Sequence, residues 1–588
     1  MNRLLSGALS ALGLIAMASA ANAQSVPARE YFLARLAEDR TPDQLSAADR
    51  TYYRALFNAI DAQQWGEVQS LLQQRSEGPL HGVALAEYYL AANSPRVELP
   101  QIESWLSRYR NLPQAAQLGR LGLTRGAETM PDLPIERSLQ SQGSMPNRSR
   151  PRPVEDGTMP ASVKDSILSA ISNDDPDTAR VLLDGVDSSL SPEARTEWRQ
   201  RVAWSYFIEN RDPQALVMAR TAASGRGSWA AEADWTQGLA AWRLNDCTEA
   251  GEAFQRAGYR ATNPELRTAA YYWASRAALR CRQPEVSREM LETASGNADT
   301  MYGMLASEQL GKDLPQAHSG ADLSAQDWQR IGQIENVRIA SALMEIDRDV
   351  LASRVLLHQA RIGDPRDYDA LSRLARELGL PQTQLSMAYN APSGGRAHPS
   401  SYYPAPRWEP FNGWKVDPAL AYAHTLQESA FRAGAVSPAN AQGLMQITPI
   451  TVRQHAPTLG LGGSIDIFDP RINLAFGQRN LEMLRDDPAT QGSLPKIMAA
   501  YNAGLTPVRR WEYEVRDQDD PLLYMEAIPY WETREYVSIV TRNYWMYERQ
   551  AQTAISPSRI TLAQNRWPAF PAAASTASGR VYLSSGNN

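Results

Sequence analysis

From about Ser25 to Ala391, apolar residues recur at helical spacing in short runs, broken every dozen or so positions by Pro, Gly, Asn or Asp. The stretches FNAIDAQQWGEVQSLL, ILSAISNDDPDTARVLL and YFIENRDPQALVMA share one plan. An apolar helix end runs into a polar turn, and a new helix starts at Asp/Pro or Gly/Glu. Asp175-Pro176 and Asp212-Pro213 lie 37 residues apart, and Cys247 and Cys281 lie 34 apart at similar helix ends. This spacing predicts a degenerate array of helical hairpins, each burying its apolar face against its neighbours, with a small rotation per pair that curves the stack into a horseshoe or ring.

The periodicity also divides the chain. Residues 24–320 form the expected superhelical domain, interrupted at 125–160 by a Pro-, Ser-, Gly- and Arg-rich stretch that reads as a linker or mobile loop. A second helical block occupies 321–395, and SGGRAHPSSYYPAPRWEPFNG then breaks the pattern before a last unit at 400–555. The tail 556–588, rich in small residues, is expected to be loosely ordered. The predicted class is all-α.

The chain has 588 residues, 43% hydrophobic and 21% charged, with a formal net charge of −6. These values describe a folded globular protein and carry no basic excess that would point to nucleic acid. The first residues combine Arg3, an apolar stretch from Leu4 to about Ala18 and an A-x-A ending at Ala23. They read as a signal peptide over 1–23, too short for a membrane anchor and without a nearby Cys to carry lipid. In an exported protein two cysteines favour a Cys247–Cys281 disulfide over two buried thiols. Six histidines without ligand spacing suggest no metal site, and no cofactor motif is present.

Candidate chemistry concentrates near AYAHTLQESAFRAGAVSPANAQGLMQITP. Asp417 can cap a helix with Pro418 at its first position, which places Glu428 at the end of an apolar run, four residues after His424. Partial burial without a cation would raise its pKa and keep a proton available near neutrality; the plain alternative is a surface Glu or an i,i+4 pair with His424. Downstream, Ser437 and Gln446 are neutral hydrogen bonders, Met445 is an adaptable apolar contact, and Gly443 permits close backbone approach. Such a lining suits an uncharged sugar polymer.

QESAF, GLMQITP, AAYNAG (499–504) and IPYWETREYV (528–537) occur in the order and spacing found in the soluble lytic murein transglycosylases, which this sequence resembles. YPAP, FDPRINLAFG and MYGMLASEQLG are further matches. The resemblance implies a lysozyme-like catalytic domain carried on the helical superhelix. It implies that Glu428 is the sole acid/base, that Ser437 and Gln446 hold the N-acetyl group or nearby sugar atoms, and that Met445 lines the groove. Tyr501 would sit by the catalytic carboxyl, Glu532 would shape the groove, and Asn502 and Tyr536 would bind substrate or fix the local fold. His424-Thr425-Leu426, Asn440 and Asn480 depart from the family pattern.

The implied reaction cleaves the β-1,4 bond between N-acetylmuramic acid and N-acetylglucosamine in peptidoglycan and leaves 1,6-anhydromuramoyl ends. The implied setting is the periplasm, with glycan strands as substrate, no membrane anchor, a monomer, and cell-wall synthesis or remodelling proteins as the class of partner. Two alternatives stay open at this point. One is a goose-type lysozyme-like hydrolase using Glu532, Asp466 or Asp469 to position water; the other is an envelope scaffold with an inactive catalytic domain.

Overall fold

The computed structural model describes residues 28–37, 41–314, 322–551 and 555–571. The leader expected over 1–23 lies outside the described residues. Twenty-eight α-helices and one two-stranded ribbon make up the regular structure among them, which defines an all-α chain. No described helix is long and apolar enough to cross a membrane.

The hairpin array follows from a repeated turn. Asp174, Asn210, Asn245 and Arg282 all adopt positive φ, between 56° and 63°, between one helix and the next. Asn and Asp tolerate this left-handed conformation at a modest steric cost. The following helices are started by side-chain caps: Asp175 accepts from the Thr178 N–H with Pro176 at the first position, and Asp246 accepts from Glu249 N–H. Asp212 departs from this plan. It lies inside the helix Asp212–Ala223, fully buried, where Arg243 (3.3 Å) and Arg516 (3.1 Å) neutralise it. Arg516 belongs to the C-terminal unit, so this carboxylate ties the array to it.

Cys247 and Cys281 are joined, with Cα atoms 5.6 Å apart, and link the start of Cys247–Arg260 to the residue after Pro264–Arg280. Closing a loop of 34 residues removes unfolded-state entropy equivalent to roughly 3–4 kcal/mol in the chain-entropy account.

The array closes on itself. Buried residues from Leu45 to Leu118 share one core with most of those from Leu323 to Ala397, while a second core runs from Ile167 through Leu305, takes in Leu385 and continues into 403–570. The chain passes from one core to the other between Ala397 and Tyr403. The first described helix, Ala28–Ala37, packs on the C-terminal unit: Phe32 meets Tyr422 edge-on at 5.4 Å, and Arg29 donates to the Trp414 carbonyl at 3.0 Å.

Residues 125–160, expected as a linker or mobile loop, carry little regular structure and run as a strap anchored at several points. Leu139–Ser141 pairs antiparallel with Asn390–Pro392. Arg148 reaches between Glu232 (3.1 Å) and Glu526 (3.0 Å), with its guanidinium 4.8 Å from the Trp235 ring centre. Val154 N–H donates to Glu197 at 2.6 Å. Composition alone missed this because the few anchoring residues find their partners far away in sequence. The tail differs likewise: Pro557–Ala563 is helical, Arg559 pairs with Glu308 at 2.9 Å, and Phe570 is buried. Residues 572–588 lie outside the described residues.

Candidate active site

Glu428 occupies the last turn of the helix Pro418–Ser429, capped by Asp417 as the sequence predicts. The chain leaves this helix through two consecutive non-glycine residues at positive φ, Ala430 (49°) and Phe431 (62°). Each is a strained conformation, held here because Phe431 is buried against Trp408 and Tyr422 at ring distances of 6.2 and 5.9 Å. The sharp exit leaves Glu428 half-buried at the helix end, facing the helix Trp531–Gln550.

Burial pushes the Glu428 carboxyl up to about 7. A hydrogen bond from Tyr536 Oη to Oε1, at 2.7 Å, opposes that rise, and the negative charge of Glu532 adds to it. Behind Tyr536 stands His424, wholly buried, with Nδ1 2.7 Å from the phenol oxygen. Burial lowers the His424 pKa to about 3, so the ring is neutral. When Glu428 is ionised, the Tyr536 O–H donates its hydrogen bond to the carboxylate, and His424 Nδ1–H then donates to the phenol oxygen. Nε2 of His424 has no hydrogen-bond partner among the described residues. His424 therefore bears on Glu428 through Tyr536 and not as a direct i,i+4 partner. The sequence signal was its place one turn before the acid, on the same helix face.

Tyr501 packs 4.6 Å from the His424 ring and stacks at 6.5 Å on Tyr536; the Glu428 charge and burial both raise its pKa. Its hydroxyl donates to the Met445 carbonyl at 2.9 Å, which fixes the turn opposite the acid. Asn502 accepts from Thr533 Oγ1 at 2.7 Å and so joins the helices Leu494–Ala503 and Trp531–Gln550. Glu532 is exposed on the first turn of the latter.

The turn 436–447 is tied to this cluster by the Tyr501–Met445 bond. Ser437 Oγ accepts from Ala441 N–H at 3.0 Å, and Gln446, at φ 50°, donates to the Gly443 carbonyl at 2.9 Å. Both side chains are partly exposed. Met445 does not line the groove as expected. It is completely buried and lies over Gly477, where a Cβ would come within 2.1 Å of its sulfur. The cause is the backbone: Gly443 has φ +75°, and Asn473 accepts from Met445 N–H at 2.8 Å while donating to the carbonyls of Gln442 (3.0 Å) and Ile467 (2.8 Å). These bonds turn the Met445 side chain inward. Asn473, in the quoted FDPRINLAFG stretch, is a groove-building residue that sequence reasoning passed over.

The candidate second carboxylates separate by role. Asp469 caps the helix Pro470–Asp486, and Asp466 accepts from Phe468 N–H at 3.0 Å. Among the described residues Glu532 is the carboxylate whose charge bears on Glu428. No cluster of three or more His, Cys, Asp or Glu side chains suited to a metal ion occurs among them.

A helical array joined to a C-terminal unit that holds Glu428 at the end of a capped helix is the arrangement of a lysozyme-like unit on a helical superhelix. Residues 409–523 match the family model of the transglycosylase SLT domain. The chain is 34% identical over 135 residues to a putative soluble lytic murein transglycosylase of Haemophilus influenzae, covering 23% of this chain and 22% of that one. It is 32% identical over 132 residues to the soluble lytic murein transglycosylase of Escherichia coli K12, covering 22% and 20%. The matched stretch therefore spans about a fifth of the length of these curated relatives. By structure the likeness is longer. The 70 kDa soluble lytic transglycosylase of Escherichia coli matches with TM-score 0.51 at 15% identity over 87% of this chain and 98% of that one. A 70 kDa soluble lytic transglycosylase in complex with bulgecin A matches with TM-score 0.57 at 16% identity, over 88% and 99%. These two likenesses concern the fold.

Proposed function

We propose that this protein is a peptidoglycan lytic transglycosylase that cleaves the β-1,4 bond between N-acetylmuramic acid and N-acetylglucosamine with Glu428 as its single acid/base. The observation that carries the reading is a carboxyl with a pKa near 7, held by Tyr536, in a groove whose other candidate carboxylates are a helix cap, a turn acceptor and an exposed neighbour. Glu428 gives its proton to the glycosidic oxygen as the bond from that oxygen to the muramic C1 breaks. The N-acetyl oxygen of the same sugar supports the cationic carbon. The muramic C6 hydroxyl then attacks C1 and returns a proton to the Glu428 carboxylate. A 1,6-anhydro end forms, no water is consumed, and the acid is restored.

In this reading Ser437 and Gln446 hold the N-acetyl group or adjacent sugar atoms, Tyr501 and Tyr536 position the acid, and Glu532 keeps it protonated. The leader expected over 1–23 and the Cys247–Cys281 disulfide are in keeping with work in the periplasm on glycan strands. The test is product mass from intact sacculi, together with Glu428→Gln. Anhydro ends are lighter by one water than hydrolytic ends and resist borohydride, and the variant should bind glycan while losing several orders of magnitude in turnover. Mainly reducible muramic ends would establish the hydrolase instead, with Glu532 activating water, and near-normal turnover by the variant would end the single-acid mechanism.

A further inference from the structure

The helix Trp531–Gln550 has two working faces. Glu532, Thr533 and Tyr536 look toward Glu428 and Asn502. Trp531 and Arg534 instead face the helical array, where they close a cavity of about 170 Å³ with Trp204, Trp229, Arg150 and Arg201. The cavity therefore lies where the array, the strap and the catalytic unit meet.

Its cations are unequally paired: Glu526 and Glu535 act on Arg534, and Glu232 and Glu535 on Arg150, only from beyond ion-pair distance. Arg201 is taken by Glu197 at 2.8 Å, and Arg148, just behind, is taken by Glu232 and Glu526. Arg534 is buried and has no ion pair among the described residues. Its Nε and Nη2 both donate to the Ile528 carbonyl, at 3.1 and 2.7 Å, which leaves Nη1 without an acceptor. Arg150 at the rim stacks on Trp531, 4.2 Å from its ring centre, and likewise has no carboxylate within ion-pair distance among the described residues. Burial and neighbouring guanidinium groups lower the Arg534 pKa to about 9, against the more distant charges of Glu526 and Glu535. A second observation is independent of these cations: Glu232, 4% exposed and lining the same cavity, has one carboxylate oxygen, Oε1, with no donor.

We propose that this cavity is a binding site for a small ligand that carries a carboxylate, an N–H or O–H donor and an apolar face, the chemistry of an acidic N-acetylated sugar or of an acylated peptide terminus. The unpaired Arg150 and Arg534 take the carboxylate, Arg being the side chain suited to forked recognition of it. Glu232 Oε1 accepts from the donor. The rings of Trp204, Trp229 and Trp531 cover the apolar face, as expected of a concave site with few, convergent polar groups. The site stands apart from Glu428; the transglycosylase reading guides only the choice of probe.

The experiment is calorimetric titration of the full-length protein with N-acetylmuramic acid, with N-acetylglucosamine as the counterpart lacking the lactyl carboxylate, and with N-acetyl-D-alanyl-D-alanine for the peptide source. At least one of the two acids should bind saturably, at least tenfold more tightly than N-acetylglucosamine. Which acid binds identifies the source. Arg150→Gln, at an exposed position and outside the catalytic groove, should weaken that binding at least tenfold with unchanged circular dichroism, and Arg150→Lys should retain part of it. Absence of binding by both acids, equal binding of the neutral sugar, or equal affinity in Arg150→Gln would overturn the proposal. Glycan cleavage, measured in parallel, reports on Glu428 alone, so either reading can fail without the other.

Discussion

Tyr536→Phe isolates the hydrogen bond that tunes the acid. The ring and its stacking on Tyr501 are kept, and only the hydroxyl between His424 and Glu428 is lost. That hydroxyl stabilises the carboxylate and works against the burial that raises Glu428 to about 7. A hydrogen bond to a charged group contributes ~1.5–3 kcal/mol, equivalent to about 1–2 pH units. The sign follows directly: without the donor the charged form is less favourable, so the pKa rises toward about 8–9. Because the first step needs the protonated acid, kcat/KM falls as pH rises through this pKa, and the basic limb of the profile should move up by about 1–2 units. The plateau should fall roughly 10- to 150-fold, since the carboxylate that forms in the transition state loses the same donor. The assay is the pH dependence of kcat/KM on a soluble glycan, with wild type and variant compared at constant ionic strength. A basic limb that stays in place or moves to lower pH would refute the assignment of Tyr536 as a donor to Glu428.

Glu532→Gln should act in the opposite direction. It removes a negative charge that raises the Glu428 pKa, so the same limb should move to lower pH, and an unmoved limb would show that the two carboxylates are not coupled. Gly443→Ala places a Cβ 2.1 Å from Asn473 Nδ2 at φ +75°, which should cost about 2–4 kcal/mol, read as a lowered thermal midpoint of the C-terminal unit; an unchanged midpoint would contradict the tight turn. Arg148→Ala leaves Glu232 and Glu526 buried without their cation, at a cost of about 3–5 kcal/mol, and should open residues 125–160 to limited proteolysis. Cleavage of that stretch in the wild type at the same rate would contradict the strap.

Local physics made much of this protein legible without a structure. Helical periodicity, Asp-Pro helix starts and polar turns declared an all-α hairpin array, because each depends only on residues within a turn or two of one another. The Asp417 cap and Pro418 placed Glu428 at a helix end for the same reason. What tertiary structure decided lies at long sequence separation. Tyr536 stands 108 residues from Glu428 in sequence and meets it at 2.7 Å; His424, one turn away on the same helix, reaches the acid only through that distant phenol. Met445 was placed in the groove by its motif and is drawn into the core by Asn473, 28 positions later. The strap composition favours disorder, yet a few anchors such as Arg148 tie it down because their partners, 84 and 378 residues away, supply buried countercharge. Propensity and pattern report short-range preference, whereas burial, pKa and hydrogen-bond satisfaction depend on which distant surfaces close around a side chain.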